Sequence, residues 1–417
     1  MNERLLQYIW QFQHFNKGEL KTLENEALQV LHPGQFNTNQ GPDFLDAKLK
    51  IGQTIWAGSV ELHIHSSDWK IHNHDVDKNY NNVILHVVWA HDVELRLPFP
   101  TLVLHDRVPK LLLDKFDELM KLPTFIPCEG SIHRVDNLTI RATTDRMMVE
   151  RLEHRSELLS NFLRDNNAHW EEAFWWLLAR NFGAHINTDM FEKIARSLPI
   201  NILSKHKTQV IQLESLLFGQ AGLLDSKFTE SYPKMLQKEY RFLKKKYGLR
   251  APAGALFFLR MRPSNFPTVR LAQLAMLIHE SSHLFSTIKS ARSANEVKKL
   301  LNVTANDYWH YHYTFDEFKP HKKKRVGDQM SNSILINAVV PILFAYGSHH
   351  REQSYKDKAL KWLSCVNAER NSITYGFTRL GLPNKTAFDS QAYIQLKHEY
   401  CDKKRCLECG IGVKILK

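Results

Sequence analysis

At 417 residues, with 43% hydrophobic and 24% charged side chains, the chain has ordinary globular composition and the length for two or three domains. Five cysteines in such a chain exclude a disulfide framework and suit a reducing compartment. No run approaches the ~20 apolar residues of a bilayer span, and the start lacks the basic and apolar blocks of a secretory signal, so a cytoplasmic location without a membrane partner is expected. The formal charge of +12 favours polyanions, because each neutralised phosphate releases condensed counterions; nucleic acid, with DNA foremost, is the expected partner.

Leu5, Leu6, Ile9, Trp10 and Phe12 keep the 3.6-residue period of an amphipathic helix over 3–15. Residues 27–31 read as a short strand stopped by Pro33-Gly34, and 36–43 as an Asn/Gln/Gly-rich loop. Residues 44–51 and 54–65 alternate in polarity about a turn at Gly52-Gln53, which predicts a hairpin. Ser66 or Ser67 can cap a short helix reaching Tyr80. Residues 82–89 are a continuous β-branched and aromatic run, the pattern of a buried strand, and further short strands are predicted at 93–97 and 101–105. Pro98, Pro100, Pro123 and Pro127 then punctuate the chain, and the pattern changes near residue 137. Beyond it the periodic segments are helical: 141–166, 170–182, 209–218, 232–247, 269–285 and 334–345. The expected architecture is α+β. A mixed α/β domain over 1–135 precedes an α-helical domain over 136–395 and a small Cys-rich tail over 396–417.

Asp43 follows a Gly-Pro turn at the entrance to one hairpin strand, and Glu61 lies in the next. Glu61, His63 and His65 share one face of that strand, because side chains alternate with period two. Two carboxylates on adjacent strands with an imidazole nearby can hold a hard divalent cation, Mg²⁺ or Mn²⁺, which polarises a phosphodiester and activates water. His72, His74, Tyr80 and His86 follow closely, and His74 is a candidate metal ligand converging with Glu61; polar loop residues are the plainer reading of His72, and a core histidine that of His86.

The arrangement resembles the PD-(D/E)XK nuclease superfamily, whose core runs helix–strand–strand–strand–helix–strand. The resemblance implies catalytic and metal-binding roles for Asp43 and Glu61, with the Leu62 carbonyl a further ligand and Tyr80 a supporting residue. His63 occupies the position of the superfamily's lysine, and there it would act as base or metal ligand, or leave a site that only binds. The chain also resembles, over nearly its full length, an uncharacterised bacterial family known only as a domain of unknown function. That likeness rests on Gly41-Pro42-Asp43-Phe44, the run from Trp56 to Trp69, His74 to Val88, Phe218-Gly219-Gln220-Ala221-Gly222, the run from Arg262 to Pro267 and the tail cysteines. It implies no activity.

Three further motifs stand apart. His279-Glu280-Ser281-Ser282-His283 fits the H-E-x-x-H zinc-hydrolase pattern, while the apolar stripe Leu271, Leu274, Ala275 and Ile278 explains the same helix as packing. Arg260, Arg262 and Arg270 lie around a proline-bounded loop feeding a helix, where they can grip phosphates or pair with acids. In the tail, Cys401, Cys406 and Cys409 suit zinc with His398 or the distant Cys128 as fourth ligand, an iron–sulfur cluster being the lesser alternative. Lys403, Lys404 and Arg405 between them are candidate phosphate contacts. Besides a nuclease or nuclease-like binder, the sequence therefore leaves open a non-catalytic nucleic-acid- or protein-binding module, and a zinc hydrolase at His279. It leaves the oligomeric state open too.

Overall fold

The computed structural model describes every residue except Leu122, Pro123 and Ser282. Pro123, one of the punctuating prolines, and Ser282, inside the H-E-x-x-H stretch, thus lie outside the described residues. The chain forms two compact units, Met1–Thr144 together with Leu396–Lys417, and Asp145–Gln395. The sequence reading divides it at 136 and again at 396; the structure places the tail within the first unit instead.

The first unit opens with α1 (Glu3–Gln11), started by the Asn2 side chain, which accepts a 2.8 Å bond from the Leu5 amide. Its apolar face, Leu5, Leu6, Ile9 and Trp10, is buried, and the Trp10 indole donates to the Pro33 carbonyl at 3.0 Å. A mixed sheet follows: β1 (Leu28–His32), β2 (Gln35–Phe36), β3 (Phe44–Ile51), β4 (Thr54–His65), β5 (Val83–Ala90) and β6 (Thr101–Val103). The order is β1-β3-β4-β5-β6, with β2 pairing β3. Strands β1, β3 and β4 form an antiparallel meander, whereas β5 runs parallel to β4 and β6 parallel to β5. A parallel neighbour requires a crossover. The segment between β4 and β5 supplies it with one short helix, α2 (Asp68–Ile71), and an irregular loop ending in a turn at Lys78–Tyr80. The predicted helix to Tyr80 therefore stops at Ile71, and no strand forms over 93–97.

Two irregularities in the sheet flank the acids. Between Phe44 and Ala47 the β3–β4 register shifts, with Asp46 in the left-handed region at φ 58°. The β4–β5 register shifts between Ser59 and Val60. Bulges bend a strand and re-aim its side chains. After β6 come α3 (Lys110–Lys121) and α4 (Asn137–Asp165), the latter crossing the division between the units.

The second unit is helical. Its core is built on α5 (Trp170–Phe182), whose Phe174, Trp175, Leu178 and Phe182 are buried, and on the apolar run from Asp328 to His349. By length and composition that run could span a membrane, but 72% of its most apolar window is buried, as in a core helix. The α+β class holds for the whole chain: a mixed sheet region first, then a largely helical one.

Candidate metal centre

Strands β3 and β4 carry Asp43 and Glu61 to the same place. The Asp43 amide donates to Glu61 Oε2 at 2.9 Å, and the Leu62 amide donates to Asp43 Oδ2 at 3.1 Å. Gln7, one turn along α1 from Glu3, donates to Asp43 Oδ1 at 2.8 Å. Leu62 thus meets Asp43 through its amide. Each Asp43 oxygen is fixed, and Glu61 is left with Oε1 uncommitted on the side of the histidines.

That side is crowded. His74 Nε2 lies 3.4 Å and His63 Nε2 3.6 Å from Glu61 Oε1. His63 Nε2 is also 3.2 Å from His72 Nδ1, and His63 Nδ1 is 2.8 Å from His86 Nε2. His63, His72 and His74 each offer a ligand atom, and these atoms lie within 4.8 Å of one another. His74 Nε2 is buried without a hydrogen-bond partner; its approach to Glu61 is close but not aligned for one. Trp69 packs edge-on against His63, His74 and His86, and Tyr80 stacks on His74 at 3.8 Å between ring centres. These rings wall off the donors and hold their planes.

Electrostatically the site is frustrated. Burial pushes the Glu61 carboxyl up, and the charge of Asp43 pushes it further. Burial likewise raises Asp43, followed by the charge of Glu3 on α1. Burial first, then the neighbouring imidazoles, push His63 down to about 2 and His86 down to about 4. His74 is lowered for the same reason, burial and then His72. Neutral imidazoles are the protonation state that binds a metal cation, whereas burial favours the protonated form of Glu61, which a cation would have to offset. His63 is therefore no stand-in for a charged lysine.

Four residues of this group lie outside the candidate site residues: Glu3 and Gln7 on α1, His72, and His86, expected as a core histidine. Glu3 and Gln7 are four apart on a helix, so they share a face; that spacing was a readable signal. His65 goes elsewhere. Its ring is half exposed, its amide donates to Asp68 Oδ2 at 2.9 Å, and its Nδ1 stands 3.9 Å from the same oxygen.

The remaining candidates are dispersed. The helix carrying His279 ends at Glu280; Ser281 is extended, and His283 adopts φ 54° at the start of the next helix, Leu284–Ser290. His279 and His283 thus do not share one helical face, and His279 Nδ1 contacts the Lys207 carbonyl at 2.6 Å. His283 lines a cavity of about 520 Å³ with Glu171 and Glu172, and His279 is not among the residues lining it. The H-E-x-x-H expectation loses its geometric basis here. Arg270 donates to Gln273 at 2.8 Å and Asn265 at 2.6 Å, holding its own turn, while Arg260 and Arg262 are exposed. Lys403 pairs with Glu399, Lys404 donates to the Met120 carbonyl, and Arg405 clasps Glu408. His398 is exposed, with Nδ1 3.4 Å from Asp402.

A family model described as "Protein of unknown function (DUF2851)" matches residues 3–372. The chain belongs to that family. No curated protein and no solved structure matches it significantly. The match covers the sheet, α1 and the histidine loop, and so the whole candidate centre, while the cysteines of the tail lie beyond it.

Proposed function

We propose that the first unit carries a metal-dependent hydrolase centre acting on phosphodiesters, a nuclease site in which Glu61, His63, His72 and His74 hold the cation. The observation that carries this reading is Glu61 Oε1 beside two imidazole nitrogens, one of them buried without a partner. A donor set of three imidazoles and one carboxylate suits Zn²⁺, Mn²⁺ or Fe²⁺ better than Mg²⁺, which prefers oxygen. It departs from the expected ligand set of Asp43, Glu61, His65 and His74 for Mg²⁺ or Mn²⁺, since Asp43 and His65 are left out and His63 and His72 are added.

When bound, such a cation lowers the pKa of a coordinated water and neutralises charge on a phosphoryl oxygen. The chain's own residues do the rest. Asp43, fixed by Gln7 and the Leu62 amide and raised in proton affinity by burial, accepts the proton of the attacking water. His86 holds the His63 ring through its Nδ1, which leaves Nε2 directed at the site. Support for a phosphodiester substrate comes from the net charge of +12 and from the order of strands and acids, the pattern for which PD-(D/E)XK nucleases were the expectation.

The test is cleavage of single- and double-stranded DNA and RNA by the purified full chain, with Zn²⁺, Mn²⁺ or Mg²⁺ added. Wild type is expected to cleave only with cation, and better with Mn²⁺ or Zn²⁺ than with Mg²⁺. Glu61→Gln, His74→Ala and Asp43→Asn should each lose about a hundredfold or more. Equal rates in all four proteins would end the nuclease reading. Retained binding of nucleic acid without cleavage in any of them would favour the non-catalytic module.

A further inference from the structure

Four of the five cysteines belong to the first unit: Cys401, Cys406 and Cys409 lie close together in the tail, and Cys128 lies far from them in sequence. Cys128, Cys406 and Cys409 are buried, Cys401 is partly so, and none is in a disulfide. The tail lies on both sides of Cys128. Upstream, Lys404 donates to the Met120 carbonyl and Lys397 stands 5.3 Å from the centre of the Phe125 ring. Downstream, Lys414 pairs with Asp136 at 3.1 Å and, with Lys417, shares a cavity wall with Pro127, Ser131 and Arg134.

The backbone turns after Cys128, Cys401 and Cys406. The Lys404 amide donates to the Cys401 carbonyl at 3.1 Å, the Cys409 amide to Cys406 at 3.3 Å, and the Ser131 amide to Cys128 at 3.0 Å. A Cβ on Gly412 would stand 2.2 Å from the Cys406 carbonyl oxygen, so only glycine permits this close return of the chain.

We propose that Cys128, Cys401, Cys406 and Cys409 form a four-thiolate centre for a soft metal, which ties the C-terminal tail to the first unit. Burial first, then the neighbouring thiols, raise three of the four: Cys128 by Cys409 and Cys406, Cys406 by Cys409, and Cys401 by all three others. Cys128 completes the set, since His398 turns to Asp402. Both zinc and an iron–sulfur cluster take four thiolates. Among the described residues the histidines form a group within 4.8 Å and the cysteines do not, so closing a zinc site would require the sulfurs to draw together.

The experiment measures zinc, iron and acid-labile sulfide in the full chain purified without oxygen, in a Glu61→Gln background so that the histidine site contributes little. The expected result is about four irons with sulfide per chain, or about one zinc if the site closes on a single ion. Cys128→Ser should lose that metal, while His398→Ala and Cys365→Ser, the latter altering the exposed fifth cysteine, should keep it. If Cys128→Ser fails to fold, titration with a mercurial decides: metal release should accompany modification of four thiols, after Cys365 has reacted without release. Metal retained in folded Cys128→Ser, lost in His398→Ala, released with only three thiols, or absent from the starting protein would overturn the proposal.

Discussion

Glu61 is only 5% exposed and faces Asp43, yet no lysine or arginine lies within ion-pair distance of it among the described residues. Burying a carboxylate without a cation is costly, and here the partners supplied are neutral imidazoles. A bound cation removes that cost. Gln7→Ala frees Asp43 Oδ1 without touching the cation's ligands, so the cleavage rate should fall about 10- to 100-fold while cation affinity measured by calorimetry changes little. An unchanged rate would remove Gln7 from the site. A second buried acid behaves differently. Glu214, in the second unit, is fully buried and accepts from Tyr232 at 2.6 Å and from the Trp309 indole at 3.2 Å. Burial raises its carboxyl to about 7 despite these bonds. A raised folded-state pKa means stability present below the unfolded value near 4.5 and lost as pH climbs through about 7. The second unit should therefore lose up to about 3 kcal/mol across that window. Glu214→Gln should flatten the loss in urea titrations at several pH values; a slope unchanged by the substitution would place its origin elsewhere.

At the scale of elements, α1 and the β4–β5 pair determine where the acids stand. Trp10→Ala empties a fully buried position under α1 and should cost about 3–5 kcal/mol, read as a lower urea midpoint. Gly58→Ala is sharper. Its Cβ would lie 2.5 Å from the Asn82 backbone oxygen, so β4 must move against β5 just before Glu61. The expected cost is about 1–3 kcal/mol, together with weakened cation binding. Much of this layer was legible. Phe44–Ile51 and Thr54–His65 announce themselves by period-two alternation around Gly52, and α1 by its apolar stripe. Asp43 and Glu61 were visible because strand order alone brings them together. The histidine group was less so: His72 and His74 lie on a crossover loop without period, and only tertiary packing turns both toward His63. The helix expected over 269–285 breaks in two, because Ser281 is extended and His283 left-handed, which a continuous apolar pattern does not reveal.

For the molecule as a whole, the net charge of +12 is no map of a binding surface, since Lys403, Lys404 and Arg405 are engaged locally. If nucleic acid is bound, affinity should fall linearly in logarithmic terms with salt, and the slope should change little in Arg405→Ala. A marked drop in slope would return the tail to the interface. The tail's structural role is plainer. Residues 396–417 belong to the first unit and bury Leu396, Tyr400, Ile411 and Leu416 there. Whether Glu61 and three histidines hold a cation is decided by calorimetric titration of the full chain with Zn²⁺ and Mn²⁺, comparing wild type with Glu61→Gln and His74→Ala. Wild type should show a saturable site that both variants weaken about a hundredfold or more. Equal binding in the three proteins, or none in wild type, would contradict it.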